Sequence, residues 1–241
     1  QIAAGYSLSI NLKTSYAINY EIINGYGQGK HPSNYKESIF KKIPKTSRNI
    51  FKIFEQNGHS YYPIPLVDEL CLIGYFQSEK YFFKNSEAIK ELFFFSDEIK
   101  KKIKKKFSYL DKKKNVGIHL RRGDYLNLSD IHPPVRRKYI LDSMKIFNSK
   151  EVNFIFFSDD ISSIKKDLHD ESFIFLDNDS ELEDLFSLSI CDSVIMSNSS
   201  FSWWGNWLGK KKEKTIAPKI WFGPKGPPHP FDLYDDKWIV I

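Results

Sequence analysis

From residue 116 onward the chain alternates short apolar runs with helical stretches, and the apolar runs end in polar clusters. Val116–Leu120 reads as a buried strand and runs into Arg121-Arg122-Gly123-Asp124. The run at 152–157 ends in Ser158-Asp159-Asp160, that at 172–176 ends at Asp177, and that at 193–196 ends in Ser197-Asn198-Ser199-Ser200. A last strand is expected at 214–217, ahead of a Pro-rich, aromatic tail. Helices are expected at 136–148, 161–168, 181–190 and from 201. Strands alternating with helices give a parallel, Rossmann-like sheet. Such sheets bind ligands outside the carboxyl ends of their strands, where the polar clusters fall.

The first half is less regular. Residues 2–12 read as a helix and 16–23 as a strand. Gly25-Tyr26-Gly27-Gln28-Gly29 has the alternating glycines of a phosphate loop, but no helix follows, so it is read as a plain loop. Residues 36–65 are read as irregular because Pro44, Gly58, Pro63 and Pro65 interrupt them. Leu70–Ile73 reads as a strand ending at Gly74, followed by a turn with exposed aromatics. Ser86 is expected to cap a helix running toward Phe95, and Ser96 a second one reaching Leu110. Polar residues 111–115 then suggest a boundary between an N-terminal α/β domain, 1–112, and a C-terminal domain, 113–241.

At 241 residues, 41% hydrophobic and 16% aromatic, the chain can bury a sizeable core, which excludes wholesale disorder. Its net charge of +6 is concentrated at Lys100–Lys106 and Lys112–Lys114. These runs fit either a nucleic-acid patch or a solvated helix face. Ile99, Ile103, Phe107 and Leu110 recur at helical spacing through the same stretch, which favours the solvated face. Cys71 and Cys191 lie far apart in apolar runs and read as reduced core residues. No apolar run approaches the roughly 18 residues of a membrane span, and no signal peptide is recognised, so a cytoplasmic setting is expected. The chain opens on Gln1-Ile2-Ala3-Ala4, which reads like mid-helix, so residues are expected to precede Gln1.

Two guanidiniums at a strand's carboxyl end suit a phosphate, because the planar fork matches paired oxygens and stays charged. The plainer reading of Arg121-Arg122 is a solvated turn neutralised by Asp124. Asp159-Asp160 fits a metal site, an N-cap or contact with a ligand hydroxyl, and its spacing is not the D-x-D of metal-dependent sugar transferases. Ser197–Gly205 places hydroxylic residues at a strand-to-helix junction, where backbone N–H groups can meet an anion while Trp203, Trp204 and Trp207 pack. The stretch has neither a neighbouring histidine nor a GxSxG elbow, which excludes a serine hydrolase. Asp184 fits a first-turn carboxylate, or an acceptor for the N1–H and N2–H₂ pair that guanine alone presents.

HLRRGDY at 119–125 together with SNSSFSWWGNWL at 197–208 resembles glycosyltransferase family 11, the α-1,2-fucosyltransferases. GYFQSEKYF at 74–82, FSDD at 157–160 and Ala217-Pro218-Lys219 match that family in order. The resemblance covers 70–241 well and 1–69 poorly. It implies a GT-B fold of two facing Rossmann-like domains, the N-terminal one truncated of its first strand and Gly-rich loop. It also implies GDP-β-L-fucose as donor, the 2-hydroxyl of a galactoside as acceptor, inversion at fucose C1, and no metal or cofactor. Carried over by position, Arg121 holds the diphosphate, His119 lies beside the nucleoside, Asp184 selects guanine and Ser200 contacts the diphosphate. Arg122, Asp159, Ser199, Phe201 and Ser202 complete the donor side, and Arg121, Asp124 and His119 are the catalytic candidates. Tyr75, Phe76 and Gln77 are candidate acceptor contacts. No nucleic-acid partner and no membrane span are expected, with peripheral membrane association only if the acceptor is lipid-linked. Two other readings stay open: transfer from another GDP-sugar such as GDP-mannose, and a non-catalytic, basic nucleic-acid-binding protein.

Overall fold

The computed structural model describes residues 1–21, 30–48, 52–110, 112–168, 170–176, 178–228 and 231–241. The glycine-rich stretch 25–29, the end of the strand expected at 16–23, Asp111 and Asp177 lie outside them. The chain divides into two compact units: Gln1–Ser96 with Pro228–Asp235, and Asp97–Pro227 with Asp236–Ile241.

The first unit opens on helix α1 (Ile2–Leu12), which buries its small residues Ala3, Ala4, Gly5, Ser7 and Ser9. Strands β1 (Lys52–Glu55) and β2 (Leu70–Ile73) pair in parallel, from Lys52 with Leu70 to Glu55 with Ile73. Helix α2 (Ser86–Leu92) follows, with Asn85 and not Ser86 at its N-cap position. β1 was not expected inside the irregular stretch 36–65. Three of its four residues are exposed, so it carries no alternation of buried and exposed side chains. Within the described part of 16–23 the only pairing is one bridge, from Ile18 to Lys45.

The second unit begins with helix α3 (Asp97–Ser108). It continues through β3 (Lys114–Leu120), α4 (Arg137–Met144), β4 (Val152–Ser158), α5 (Ile161–Asp167), β5 (Ile174–Phe175), α6 (Glu181–Ile190), β6 (Ser193–Ile195), α7 (Ser200–Trp207), β7 (Thr215–Ala217) and β8 (Ile239–Val240). The six strands form one parallel sheet in the order β5-β4-β3-β6-β7-β8. The α/β class and parallel sheet expected from the sequence are therefore present. β8 falls in the stretch read as tail; two residues are too short to carry a pattern.

One face of this sheet is a continuous core. Val116, Ile118 and Leu120 of β3 pack with Ile140, Phe154, Phe156, Ile164, Leu168, Ile195 and Ile216. The division between units also differs from the boundary expected at 112–113: the lysine-faced helix α3 belongs to the second unit. It docks on α6, burying Ile103 and pairing Lys102 with Glu183 at 2.7 Å. Lys106 donates to Asn178 at 3.0 Å. Burial of Ile103 and these lysine contacts together place the helix in the second unit.

Candidate active site

The strand order reverses between β3 and β6, because the chain leaves β3 toward β4 on one side and returns on the other to form β6. At such a switch point the loops diverge and leave a crevice at the carboxyl edge. His119 and Arg121 come from the end of β3, Asp159 from the end of β4, and Ser197–Ser202 from the junction of β6 and α7. The first turn carries Arg121-Arg122-Gly123 where dinucleotide folds carry glycines, so side-chain charge takes the place of backbone amides there.

Arg121 is about a quarter exposed, and all three of its guanidinium nitrogens meet a carboxylate. Nε donates to Asp124 Oδ1 at 2.9 Å and Nη2 lies 2.8 Å from the same oxygen. Nη1 lies 3.1 Å from Asp159 Oδ2. Each terminal nitrogen keeps a second N–H, so two donors remain for an incoming anion. The guanidinium also lies 5.7 Å from the centre of the Tyr125 ring. That ring stacks on His132 at 4.9 Å, and His132 packs on Phe222 at 5.6 Å. Burial pushes the Tyr125 hydroxyl up to about 12, and it donates to the Asn198 carbonyl at 3.1 Å.

Asp159 is fixed from the other side, its Oδ1 accepting the Arg122 N–H at 2.9 Å. A Cβ at Gly123 would stand 2.5 Å from Asp159 Oδ2, so the carboxylate would have to shift from its present place beside Arg121. The Arg122 guanidinium turns elsewhere, its Nη2 donating to Asp167 at the end of α5 at 2.9 Å. The two arginines expected to share one anion thus diverge, and Arg121 is the more exposed of the two. Asp160 caps α5, accepting the Ser163 N–H at 3.1 Å. Among the described residues no three His, Cys, Asp or Glu side chains gather as a metal site.

Ser199 is the N-cap of α7, its Oγ accepting the Phe201 N–H at 3.3 Å. Ser202 is fully buried and donates to the carbonyls of Ser197 and Ser199, at 3.0 and 2.9 Å. Its hydroxyl therefore shapes the loop and is not offered outward, unlike the expectation. Ser200 is exposed at the helix start, where the macrodipole favours an anion. His119 is buried, stacks on Phe201 at 4.8 Å and has Nδ1 3.0 Å from Ser197 Oγ. Burial, with the Arg121 charge adding, pushes its pKa down to about 3, so the ring is neutral at pH 7. A base that weak, with one nitrogen engaged, suits packing beside a planar group better than proton abstraction.

Asp184 sits in the first turn of α6 and accepts from Asn178 Nδ2 at 2.7 Å. Burial is the main reason its carboxyl is raised to about 6. The expected acceptor residues lie in the first unit and differ among themselves. Tyr75 is 66% exposed and stacks on His59. Phe76 is 3% exposed and packs on Phe54 and Tyr81, so its ring is part of the core. Gln77 is half-buried, its Oε1 buried without a partner. Sequence reasoning missed Asp167 and His132, and it named Ser197 without its pairing to His119; the partners lie 45, 7 and 78 positions away and leave no local spacing to read.

The family model for glycosyl transferase family 11 matches residues 36–241. An α-1,2-colitosyltransferase of Escherichia coli is 32% identical over 180 residues, 70% of this chain and 61% of that protein. The O-antigen biosynthesis glycosyltransferase WbnK of Escherichia coli is 27% identical over 185 residues, 71% of this chain and 60% of that protein. The chain thus spans about six tenths of the length of these relatives. A crystal structure described as POFUT1 in complex with GDP-fucose shares 16% identity at a TM-score of 0.43, covering 54% of this chain and 48% of that one, a likeness too slight to build on.

Proposed function

This chain belongs to glycosyltransferase family 11, and from that premise we propose that it transfers L-fucose from GDP-β-L-fucose to the 2-hydroxyl of a galactoside, with inversion at C1. The observation that carries the reading is the Arg121 fork, held by Asp124 and Asp159 at the switch point of a parallel sheet. On this reading the two units are the halves of a GT-B enzyme, the second being the donor half.

The sugar–phosphate bond breaks toward an oxocarbenium-like transition state while negative charge gathers on the departing GDP. Interactions that strengthen with that charge accelerate the step. The two remaining N–H groups of Arg121 take diphosphate oxygens, and the start of α7 at Ser200 meets the same charge. These donors take the part that a divalent cation plays elsewhere, so no metal is required. Neutral His119 and Phe201 form a wall for the nucleoside, and ionised Asp184 accepts from guanine. The acceptor 2-hydroxyl attacks C1 from the face opposite GDP and loses its proton. Of the two base candidates Asp124 fits better than His119, because only one of its oxygens is held by Arg121 and it is 30% exposed.

A second reading follows from the α-1,2-colitosyltransferase relative. Colitose is the 3-deoxy counterpart of L-fucose, so the two donors differ at one hydroxyl that the nucleotide-binding residues do not read. GDP-mannose is a third donor with the same nucleotide. Offering all three donors with lactose, and following GDP release and the product linkage by NMR, tests the reading. Preference for GDP-fucose with an α-1,2 product supports it, and preference for another donor replaces it.

A further inference from the structure

We infer that the stacked rings of Tyr75 and His59 form a preorganised shelf that receives the pyranose ring of the acceptor sugar. The inference deepens the transferase reading and rests on it. Tyr75 is 66% exposed, and an aromatic ring held in water forgoes the burial that would stabilise it elsewhere. It is not a loose side chain. Its ring lies 4.8 Å from that of His59 with the planes 25° apart, so the imidazole from a second loop backs one face of the phenol ring and the exposed Tyr75 keeps the other for a ligand. Burial pushes the His59 imidazole pKa down, so the ring behind Tyr75 is neutral near pH 7 and supports it without a charge.

The backbone carrying Tyr75 is strained on both sides. Gly74 has φ +143° and Phe76 has φ +52°. A bulky residue in the left-handed region is rare, and such strain persists only where the surroundings enforce it. Here Gln56 enforces it. That side chain is 7% exposed, and its Oε1 accepts the Phe76 N–H at 2.7 Å. Its Nε2 donates to the carbonyl of Ser60, the neighbour of His59, at 3.1 Å, and to the Tyr81 hydroxyl at 3.0 Å. A Cβ at Gly74 would stand 2.6 Å from Gln56 Cβ, so glycine is needed for the loop to close on it. One buried amide therefore fixes both loops that supply the rings, and the shelf is rigid before anything binds.

A flat, neutral, rigid aromatic face fits the face of a pyranose that carries a run of C–H bonds. Galactose has such a face opposite its axial 4-hydroxyl. Rigid aromatic surfaces of this kind bind with little loss of conformational entropy.

The test compares the full chain with Tyr75→Ala, Tyr75→Phe and Tyr75→Trp. Saturation-transfer NMR with lactose reports ring contact without turnover, calorimetry reports GDP affinity, and steady-state transfer reports the acceptor KM. The shelf predicts that Tyr75→Ala weakens lactose binding and raises acceptor KM by about tenfold or more, while Phe and Trp stay near wild type. GDP affinity is unchanged in all three. Tyr75→Ala matching wild type toward lactose, or a wild-type chain that saturates no galactose proton, overturns the inference. Contact through Tyr75 without fucosyl product sinks the donor assignment and leaves the shelf standing. Transfer with an unmoved acceptor KM in Tyr75→Ala does the reverse.

Discussion

Replacing Arg121 by lysine keeps the charge and removes the fork. In the structure three guanidinium nitrogens are spent on Asp124 and Asp159, and two N–H groups remain, which the proposed mechanism gives to the diphosphate. A lysine ammonium has three N–H groups in all and no planar pair. Engaging the two carboxylates leaves it at most one donor for the leaving group. A hydrogen bond to a charged partner is worth about 1.5–3 kcal/mol, so losing one or two costs about 2–6 kcal/mol of transition-state stabilisation. Removal of a preorganised donor in other enzymes gives about 10²–10³ in rate, within the same range. The fold should barely notice. The ion pairs involved are 26–30% exposed at the side chain, and such pairs contribute about 0–1 kcal/mol. The assay follows GDP release from GDP-fucose with lactose, alongside a thermal melt. Expected is a melt within a few degrees of wild type and a kcat/KM lowered at least a hundredfold, or about 2.7 kcal/mol. Turnover within about threefold of wild type would falsify the argument that geometry, and not charge alone, is what Arg121 supplies.

Three further outcomes follow from the same site. Asp184 is held at about 6 by burial, against 3.8 when exposed, so the native state keeps a proton that the unfolded chain releases between those values. Its ionisation therefore costs stability as pH rises through that window, on the order of 1–3 kcal/mol by pH 7. Asp184→Asn should raise the melting temperature at pH 7 while weakening GDP binding, and wild-type GDP affinity should fall below pH 6; a variant that melts lower and binds GDP normally contradicts both. Gly123→Ala drives a Cβ to 2.5 Å from Asp159 Oδ2 and displaces the carboxylate that orients Arg121. A shift of about 1 Å can cost about a hundredfold in rate, so kcat should drop ten- to a hundredfold in a folded protein, and an unchanged kcat contradicts the role of Asp159. His119 is held at about 3, against 6.5 when exposed, so its contribution to stability is present above pH 6.5 and is lost as pH falls toward 3. A His119→Gln chain should therefore acid-unfold at lower pH than wild type, and an unmoved midpoint removes His119 from that transition.

The second unit was legible because its strands are buried on both faces and end in polar residues. Val116–Leu120 and 152–157 read as apolar runs for that reason, and their carboxyl ends hold Arg121 and Asp159. β1 was invisible because Ile53 and its neighbours are exposed, and a strand without a buried face has no period. The placement of α3 was missed because its lysines dominate the composition, while what docks it is Ile103 together with the ion pairs of Lys102 and Lys106 to Glu183, partners far away in sequence. Within the site, residue types at the right edge could be read, but orientations could not. Nothing local shows that Arg122 turns to Asp167, that Ser202 spends its hydroxyl on Ser197 and Ser199, or that Phe76 points inward while Tyr75 points out. Those outcomes depend on partners far away in sequence. The family resemblance names the positions, and the structure shows which of their polar groups are already engaged within the protein.

The most direct measurement is transfer from GDP-fucose to lactose by this chain in excess EDTA, with the product linkage read by NMR. The account predicts GDP release coupled to a single α-1,2-linked fucosyl product at a rate EDTA does not change. A chain that binds GDP, but gives no fucosylated product or transfers only when a divalent cation is restored, would contradict it.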